Sequence, residues 1–334
     1  MNTNQTQKKQ RIGITIGDAA GIGAEVVLKA ISDKNLIEDC LPVVIGDYKF
    51  LEKTSKQLGL TFDVLKVSRG DKIPLSSEKP IIYDLANICE EVEIGKESAI
   101  AGKAAAEYIE EAVRLCLENQ LDAISTAPIN KKSLSLGGYD FPGHTEFLAY
   151  LSNTKEFAMS FFADKLRVVL LSTHVSLVEA IKIAKKDAII KLIQLTNREM
   201  FRLLKRKPSI VIAGLNPHAS EGGMFGNEEN EEIIPAIHVC NDLGIDVRGV
   251  FSADTIYLRA WRGEFDAVIS CYHDQATIAV KCLSFGSGVN VTLGLPFVRT
   301  SVDHGTAFDI AGKNIAECQS MKIAIRLAAE LSCN

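Results

Sequence analysis

The side chains best suited to chemistry in this chain are its six histidines. Imidazole titrates near neutral pH and is the commonest side-chain ligand for a divalent cation. Five of the six sit in short segments rich in Gly, Pro, Ser and Thr: Pro142-Gly143-His144-Thr145, Ser172-Thr173-His174, Asn216-Pro217-His218, Tyr272-His273-Asp274 and Asp303-His304-Gly305. Each follows a predicted strand or opens a predicted helix, and open α/β sheets bind ligands outside the carboxyl ends of their strands. His174, His218 and His273 directly follow strands. Three neutral imidazoles with one open position would make a catalytic metal site, most often zinc. Their spacings of 44 and 55 residues match no short metal signature, and taken singly each also suits capping or core hydrogen bonding. His238 falls inside a helical pattern and reads as structural.

A second concentration of polar features follows His273. Lys281 ends a short apolar stretch, Phe285-Gly286-Ser287-Gly288-Val289-Asn290 supplies Gly-rich backbone, and Arg299 follows Pro296-Phe297-Val298. A Lys, an Asn and an Arg around one pocket suit an anionic substrate such as a phosphate ester. Their bland reading is as solvated or salt-bridged surface groups. Near the start, Gly17-Asp18-Ala19-Ala20-Gly21-Ile22-Gly23 joins a strand to a helix. Amides at such a turn favour anions, yet the spacing is neither the dinucleotide fingerprint nor a phosphate-binding P-loop. A tight packing turn and a ligand contact stand equal here.

Short β-branched runs alternate with longer amphipathic segments and must position these groups. Strands are predicted at Arg11–Ile16, Pro42–Ile45, Pro80–Tyr83, Asp122–Ser125, Arg167–Leu171, Ser209–Ala213, Asp246–Phe251 and Asp266–Ser270. Several are continuously apolar, as strands covered on both faces are. Helical spacing marks Ala99–Glu118, Asp187–Leu204, Asn227–Leu243 and Asn314–Leu331. The alternation predicts an α/β fold with largely parallel sheets. The 334 residues suggest two domains or one large one. With no linker tract, two domains would be made by the chain crossing back and forth; the expected division is an α/β domain from both chain ends (1–137 and 304–334) and a central α/β domain (138–303) with the metal and substrate residues and dimer contacts.

With 37 Lys+Arg against 42 Asp+Glu the net charge is −5, which argues against a nucleic-acid binder. A content of 47% hydrophobic and 24% charged residues is that of a globular protein. No apolar run approaches the length needed to span a bilayer. The polar opening, Met1–Gln10, reads as a frayed tail without a signal peptide. The eight cysteines are scattered and read as reduced thiols, several buried, in a cytoplasmic protein.

Taken together, Gly17-Asp18-x-Ala20-Gly21-Ile22-Gly23, Ala127-Pro128-Ile129-Asn130-Lys131, Pro142-Gly143-His144-Thr145-Glu146, Asn216-Pro217-His218, Ser252-Ala253-Asp254-Thr255, Tyr272-His273-Asp274-Gln275 and the run from Val289-Asn290 through Arg299 to Asp303-His304-Gly305-Thr306-Ala307 resemble the 4-hydroxythreonine-4-phosphate dehydrogenase family of vitamin B6 synthesis. The resemblance runs in order from about residue 12 to the C-terminus. Ala19 and Ala24 stand where the family usually has Pro, Ala276 where Gly is common, and the loop after His218 reads Ala219-Ser220-Glu221-Gly222-Gly223-Met224-Phe225.

The resemblance implies a homodimer of two-domain α/β subunits, of the isocitrate/isopropylmalate dehydrogenase-like fold, with the active site in the cleft between domains near the subunit interface. It matches His174, His218 and His273 to divalent-metal ligands (zinc, with magnesium or cobalt as alternatives). His144, Thr145, Lys281, Asn290 and Arg299 match substrate-binding positions. Cofactor contacts, to NAD or NADP, are placed at Asn216, Gly286, Asp303, His304 and Gly305, the last three in a stretch similar to the adenosine loop of isopropylmalate dehydrogenases. Lys281 and Asp254 are the candidates for the catalytic proton carrier, beside a water on the metal.

The implied reaction is metal-assisted, NAD-dependent oxidation of 4-phosphooxy-L-threonine at C3, with decarboxylation to 3-amino-2-oxopropyl phosphate. The product would pass to pyridoxine 5'-phosphate synthase. Alternatives are a dehydrogenase of D-threonate or D-erythronate 4-phosphate, or of dihydroxy-cyclohexadiene dicarboxylates, and a non-redox metal-dependent lyase. A phosphometabolite-binding protein without turnover would show a damaged histidine trio or lack Lys281 or Arg299, and this chain has them all.

Overall fold

A computed structural model describes residues 9–333; most of the polar opening stretch lies outside them. The described end of that stretch is tied down, since Gln10 O accepts from Leu41 N at 2.9 Å and Lys9 Nζ donates to Ile37 O at 2.5 Å. The described residues make two compact units, 9–154 with 295–333, and 155–294.

In the first unit the strands are β1 (Arg11–Thr15), β2 (Leu41–Gly46), β3 (Leu65–Ser68), β4 (Ile81–Asp84) and β5 (Ala123–Thr126). The second holds β6 (Ala158–Ala163), β7 (Leu166–Leu170), β8 (Ile210–Ala213), β9 (Val247–Phe251), β10 (Ala267–Ser270) and β11 (Val289–Leu293). The chain then returns to the first with β12 (Val298–Ser301). All eight predicted strands and the four predicted helices are present to within a few residues, and the fold is α/β with largely parallel sheets.

The first unit's strands lie in the order β3-β4-β2-β1-β5-β12, every pair parallel. β1, β2, β4 and β5 are buried along their whole length, which is why they read as unbroken apolar runs. The chain moves to one side of β1 for β2 and to the other for β5. Ligands gather at such a reversal, outside the carboxyl ends of the strands.

The second unit runs β11-β6-β7-β10-β8-β9. β11, β6 and β7 pair antiparallel, while β7, β10, β8 and β9 are parallel. One core cluster joins Phe161, Leu166, Val168 and Val211 to Ile256, Tyr257, Val268 and Val280. The helix Ala253–Trp261 and the helix His273–Ser284 are thereby fixed against the sheet.

The division falls at 154/155 and 294/295 rather than at the expected 137/138 and 303/304. The helix His144–Leu151 buries Phe147 and Leu148, with Phe147 against Tyr139 of the first unit, and β12 pairs with β5. His144, Thr145, Arg299 and Asp303 therefore belong with the chain ends and not with the central segment.

Candidate active site

The predicted site residues fall into three sets. The first stands at the carboxyl edge of the second unit. His174 follows β7 by four residues, His273 follows β10 by three and His218 follows β8 by five, and these three strands are neighbours in the order β7-β10-β8. Parallel strands 4.8 Å apart deliver their trailing loops side by side.

The rings of His174 and His273 are 5.5 Å apart, centroid to centroid. Two imidazoles sharing a tetrahedral metal at ~2.1 Å per bond would have centroids roughly 5.3 Å apart, so the pair fits a cation. His273 Nδ1 lies 2.7 Å from Asp274 Oδ1. With the carboxylate accepting, Nδ1 carries the proton and Nε2 keeps its lone pair for a metal. A cavity of about 200 Å³ opens here, lined by Thr173, His174, Leu177, Tyr272, His273 and Asp274.

His218 is held differently. It opens a stretch in which His218, Ala219, Ser220 and Glu221 have φ between 47° and 65°. Left-handed backbone costs roughly 1–2 kcal/mol per non-glycine residue, so the turn depends on its anchors. Ser220 is buried, its Oγ accepts from Gly223 N at 3.0 Å and its carbonyl from Phe225 N at 3.1 Å. Glu229, also buried, forks onto Asn216 by accepting from its backbone N (2.7 Å) and its Nδ2 (2.8 Å), and Glu228 takes the same Nδ2 at 2.7 Å. The amide donors of Asn216 are thus engaged by carboxylates. Among the described residues, no three His, Cys, Asp or Glu side chains are grouped to hold a metal ion. The chain by itself brings two of the three histidines together.

Side chains stitch the strand exits where the ladder has ended. Ser172 Oγ donates to Cys271 O at 2.8 Å, Cys271 N donates to Gln275 Oε1 at 2.8 Å, and Gln275 Nε2 donates to Gly214 O at 2.7 Å. Burial, with a smaller push from the Glu229 charge, raises the Cys271 thiol to about 12. It stays protonated and donates to Ala213 O at 3.5 Å. Asp254, accepting from Ser252 Oγ at 2.6 Å, faces a neighbouring apolar groove with Tyr257, Tyr272 and Ile278.

The second set lies in the first unit. Arg299, on β12, is buried and donates from Nη2 to Thr126 Oγ1 at 2.8 Å, at the carboxyl end of β5. Burial pulls its guanidinium down, to about 9, and the Glu146 charge works in the opposite sense; it remains charged at neutral pH. His144 opens the helix His144–Leu151, with Thr145 buried beside it. Its Nε2 is inaccessible and has no hydrogen-bond partner. Burial first, and the Arg299 charge second, hold this imidazole well below its usual value. A charged Arg, a neutral His with an orphaned nitrogen and a helix N-terminus together suit an anionic group.

The Gly17–Gly23 turn resolves to packing. Gly17 has φ +67° and a Cβ there would meet Pro128 O at 2.2 Å; one at Gly23 would meet Ile16 O at 2.1 Å. Four of its amides are engaged within the protein: Asp18 N on Pro128 O, Ala20 N on Asp18 Oδ1, Gly21 N on Asp18 O and Ile22 N on Thr306 O. The last bond sets the turn against the segment that follows Asp303, His304 and Gly305, where His304 Nδ1 lies 3.0 Å from Gly305 O.

The third set stands apart from the histidines. Lys281 is eight residues along the helix His273–Ser284 from His273, about 12 Å along the axis. Gly286 lies beyond that helix's end. Asn290 is level with Val168 through Phe161, two strands away from β7. Lys281, Gly286 and Asn290 of one chain are therefore not beside its histidine pair.

Sequence reasoning assigned no role to Gln275, Ser172, Asp274, Glu229 or Thr126. The first three lie within two residues of a predicted ligand, which was a signal. Thr126 gave none, being the end of a buried strand.

A D-threonate 4-phosphate dehydrogenase of Cupriavidus necator is 45% identical over 322 residues, 96% of this chain and 97% of that one. Among solved structures, a 4-hydroxythreonine-4-phosphate dehydrogenase from Burkholderia phymatum superposes with a TM-score of 0.86 at 43% identity, covering 97% of this chain and 99% of that one. Another, from Klebsiella pneumoniae, gives 0.90 at 36% identity, covering 99% and 100%. Residues 38–328 match the family model described as pyridoxal phosphate biosynthetic protein PdxA, and the chain belongs to that family. It is an enzyme, an oxidoreductase, and its family implies a nicotinamide cofactor. No helix among the described residues is long and apolar enough to cross a membrane.

Proposed function

We propose that the enzyme oxidises C3 of a 4-phosphorylated four-carbon hydroxy acid, with NAD or NADP accepting the hydride, and releases C1 as CO₂. D-threonate 4-phosphate stands first as substrate and 4-phosphooxy-L-threonine second. This order is supported by the 45% identity over nearly the whole of both chains to the Cupriavidus enzyme. A hydroxyl at C2 leaves a hydroxy-ketone phosphate; an amino group there leaves 3-amino-2-oxopropyl phosphate.

The observation that carries the reading is the delivery of His174, His218 and His273 by three adjacent parallel strands, with two of the rings at metal-sharing distance. In this reading His174, His218 and His273 hold a divalent cation, zinc with magnesium or cobalt as alternatives. Such a cation supplies Lewis acidity, lowering the pKa of an oxygen it binds and stabilising enolate charge as CO₂ departs. Asp274 keeps His273 in the ligating tautomer. Arg299 binds a substrate anion in a dry site, where a charged hydrogen bond is worth about 1.5–3 kcal/mol. His144, neutral, directs its orphaned Nε2 to the same group, and Thr145 lends its helix-terminal amide. Asp303, His304 and Gly305 serve the dinucleotide. Asp254 or Lys281 carries the proton.

The reading includes a homodimer. Lys281 stands about 12 Å along the helix from His273, and Asn290 two strands away from β7, so a second copy would bring these groups to the histidine pair more directly than the same chain does. A second copy supplies one set to the other. Exposed Leu177, Val178 and Ile181 beside His174, and Met224 and Phe225 beside His218, are the apolar surface it would cover.

The test is reduced-cofactor absorbance with D-threonate, D-erythronate and threonine 4-phosphates, before and after chelation, with CO₂ trapped. Stoichiometric NADH and CO₂ that vanish on chelation are expected. CO₂ without cofactor reduction would replace this reading with a lyase.

A further inference from the structure

We propose that Gln275 is a positioning residue, which spaces the strand exits bearing His218 and His273 before any cation arrives. This rests on the metal reading above.

Gln275 is 9% exposed, and both ends of its amide are hydrogen-bonded. Oε1 takes Cys271 N, two residues before His273, and Nε2 gives to Gly214 O, four residues before His218. Both backbone groups lie past the ends of β10 and β8, where no ladder partner reaches them. A buried backbone donor and acceptor must each find a mate. A primary amide offers a donor and an acceptor in one rigid plane. Glu lacks the donor and Leu lacks both.

The brace extends to the third exit. Ser172 Oγ holds Cys271 O, so both backbone groups of Cys271 are gripped by side chains. Gly214 permits the close approach on the far side, since a Cβ there would meet Ala219 Cα at 2.9 Å. Ser172, Gln275 and Gly214 therefore set the separation of the loops to His174, His273 and His218. None of them is a ligand. Groups directly behind metal-binding imidazoles typically govern affinity by 10- to 100-fold, and a brace on the backbone that carries them should act toward the lower end of that range.

The experiment is calorimetric titration of the full-length, metal-stripped protein with Co²⁺, alongside thermal melting and dinucleotide binding. Gln275→Leu should weaken Co²⁺ at least tenfold and leave dinucleotide affinity unchanged. Gln275→Glu, which sets a carboxylate against Gly214 O, should weaken it further. Asp266→Asn is the comparison, since Asp266 holds Arg206 and Ser209 N at the opposite end of β10; it should lower the melting temperature and leave Co²⁺ affinity within twofold. A folded Gln275→Leu protein that binds Co²⁺ like the parent overturns the brace, as does equal weakening by Asp266→Asn. Should neither Gln275 variant fold, Ser172→Ala carries the test: several-fold weaker Co²⁺ binding supports the brace and unchanged binding overturns it. A parent protein that binds no Co²⁺ overturns the metal reading itself, and the brace with it.

Discussion

Arg299 and His144 lie in a dry pocket of the first unit, whereas His174 and His218 are exposed, and His273 half-exposed, at the end of three strands in the second. In the first region a charge is buried with one neutral imidazole beside it, and burial weakens the hold of both groups on their protons. In the second, the working groups face outward and the buried atoms are amides, hydroxyls and carbonyls that brace them. A charge is buried at a cost that partners must offset, and Glu146 and Thr126 stand by Arg299. On the reading proposed above, the first region receives the substrate anion and the second the cation.

The largest effect should come from Arg299→Met. Removing the partner of a desolvated anion costs about 4 kcal/mol, so kcat/KM should fall about 10³-fold. Met keeps the apolar stem of the side chain, so the variant should stay folded, as a melting curve shows. A lower melting temperature with unchanged kcat/KM would break the comparison.

His174→Ala and His218→Ala should each lower turnover by at least about 10²-fold, with dinucleotide binding intact. Equal losses mean that the histidines share one cation. A silent His218→Ala would leave the adjacent pair as a two-histidine site. Asp274→Ala should be milder, weakening Co²⁺ binding about tenfold through the His273 tautomer, and a calorimetric titration matching the parent would remove that role.

The smallest effect concerns pH. An unfolded histidine titrates near 6.5, and His144 in the folded chain lies well below that. As pH drops under about 6.5 the unfolded chain takes up a proton that the folded chain refuses. The stability contributed by neutral His144 is present above that pH and is lost on acidification, by at most ~1.36 kcal/mol per pH unit. Denaturant midpoints at pH 7 and 5.5 should differ less in His144→Asn than in the parent. Identical differences would mean that this imidazole is not the dry group the pocket implies.

Most of the parallel strands were legible because burial on both faces leaves unbroken apolar runs, as in Ile210–Ala213. Four strands were not. β3 is a four-residue strand at the end of its sheet with one buried position. β6 and β11 are antiparallel and carry no parallel-strand signature. β12 reads Val298-Arg299-Thr300-Ser301, mostly polar residues where no strand was predicted. They are buried as a strand with polar partners indoors: Arg299 Nη2 on Thr126 Oγ1, Thr300 Oγ1 on Ala324 O and Ser301 Oγ on Val302 O. Among the candidate site residues, the histidines were legible from their place after strands. The distance of Lys281 and Asn290 from them was not.

The chain's own order of residues determined the alternation of strand and helix, the loops that carry chemistry and the family, since each of these is written in short local patterns. Only the tertiary structure decided which loops become neighbours. β10 inserts between β7 and β8, so His273 comes to stand beside His174, 99 residues away in sequence. Strand order depends on which apolar faces bury against which, a property of the whole sheet that no window of sequence contains.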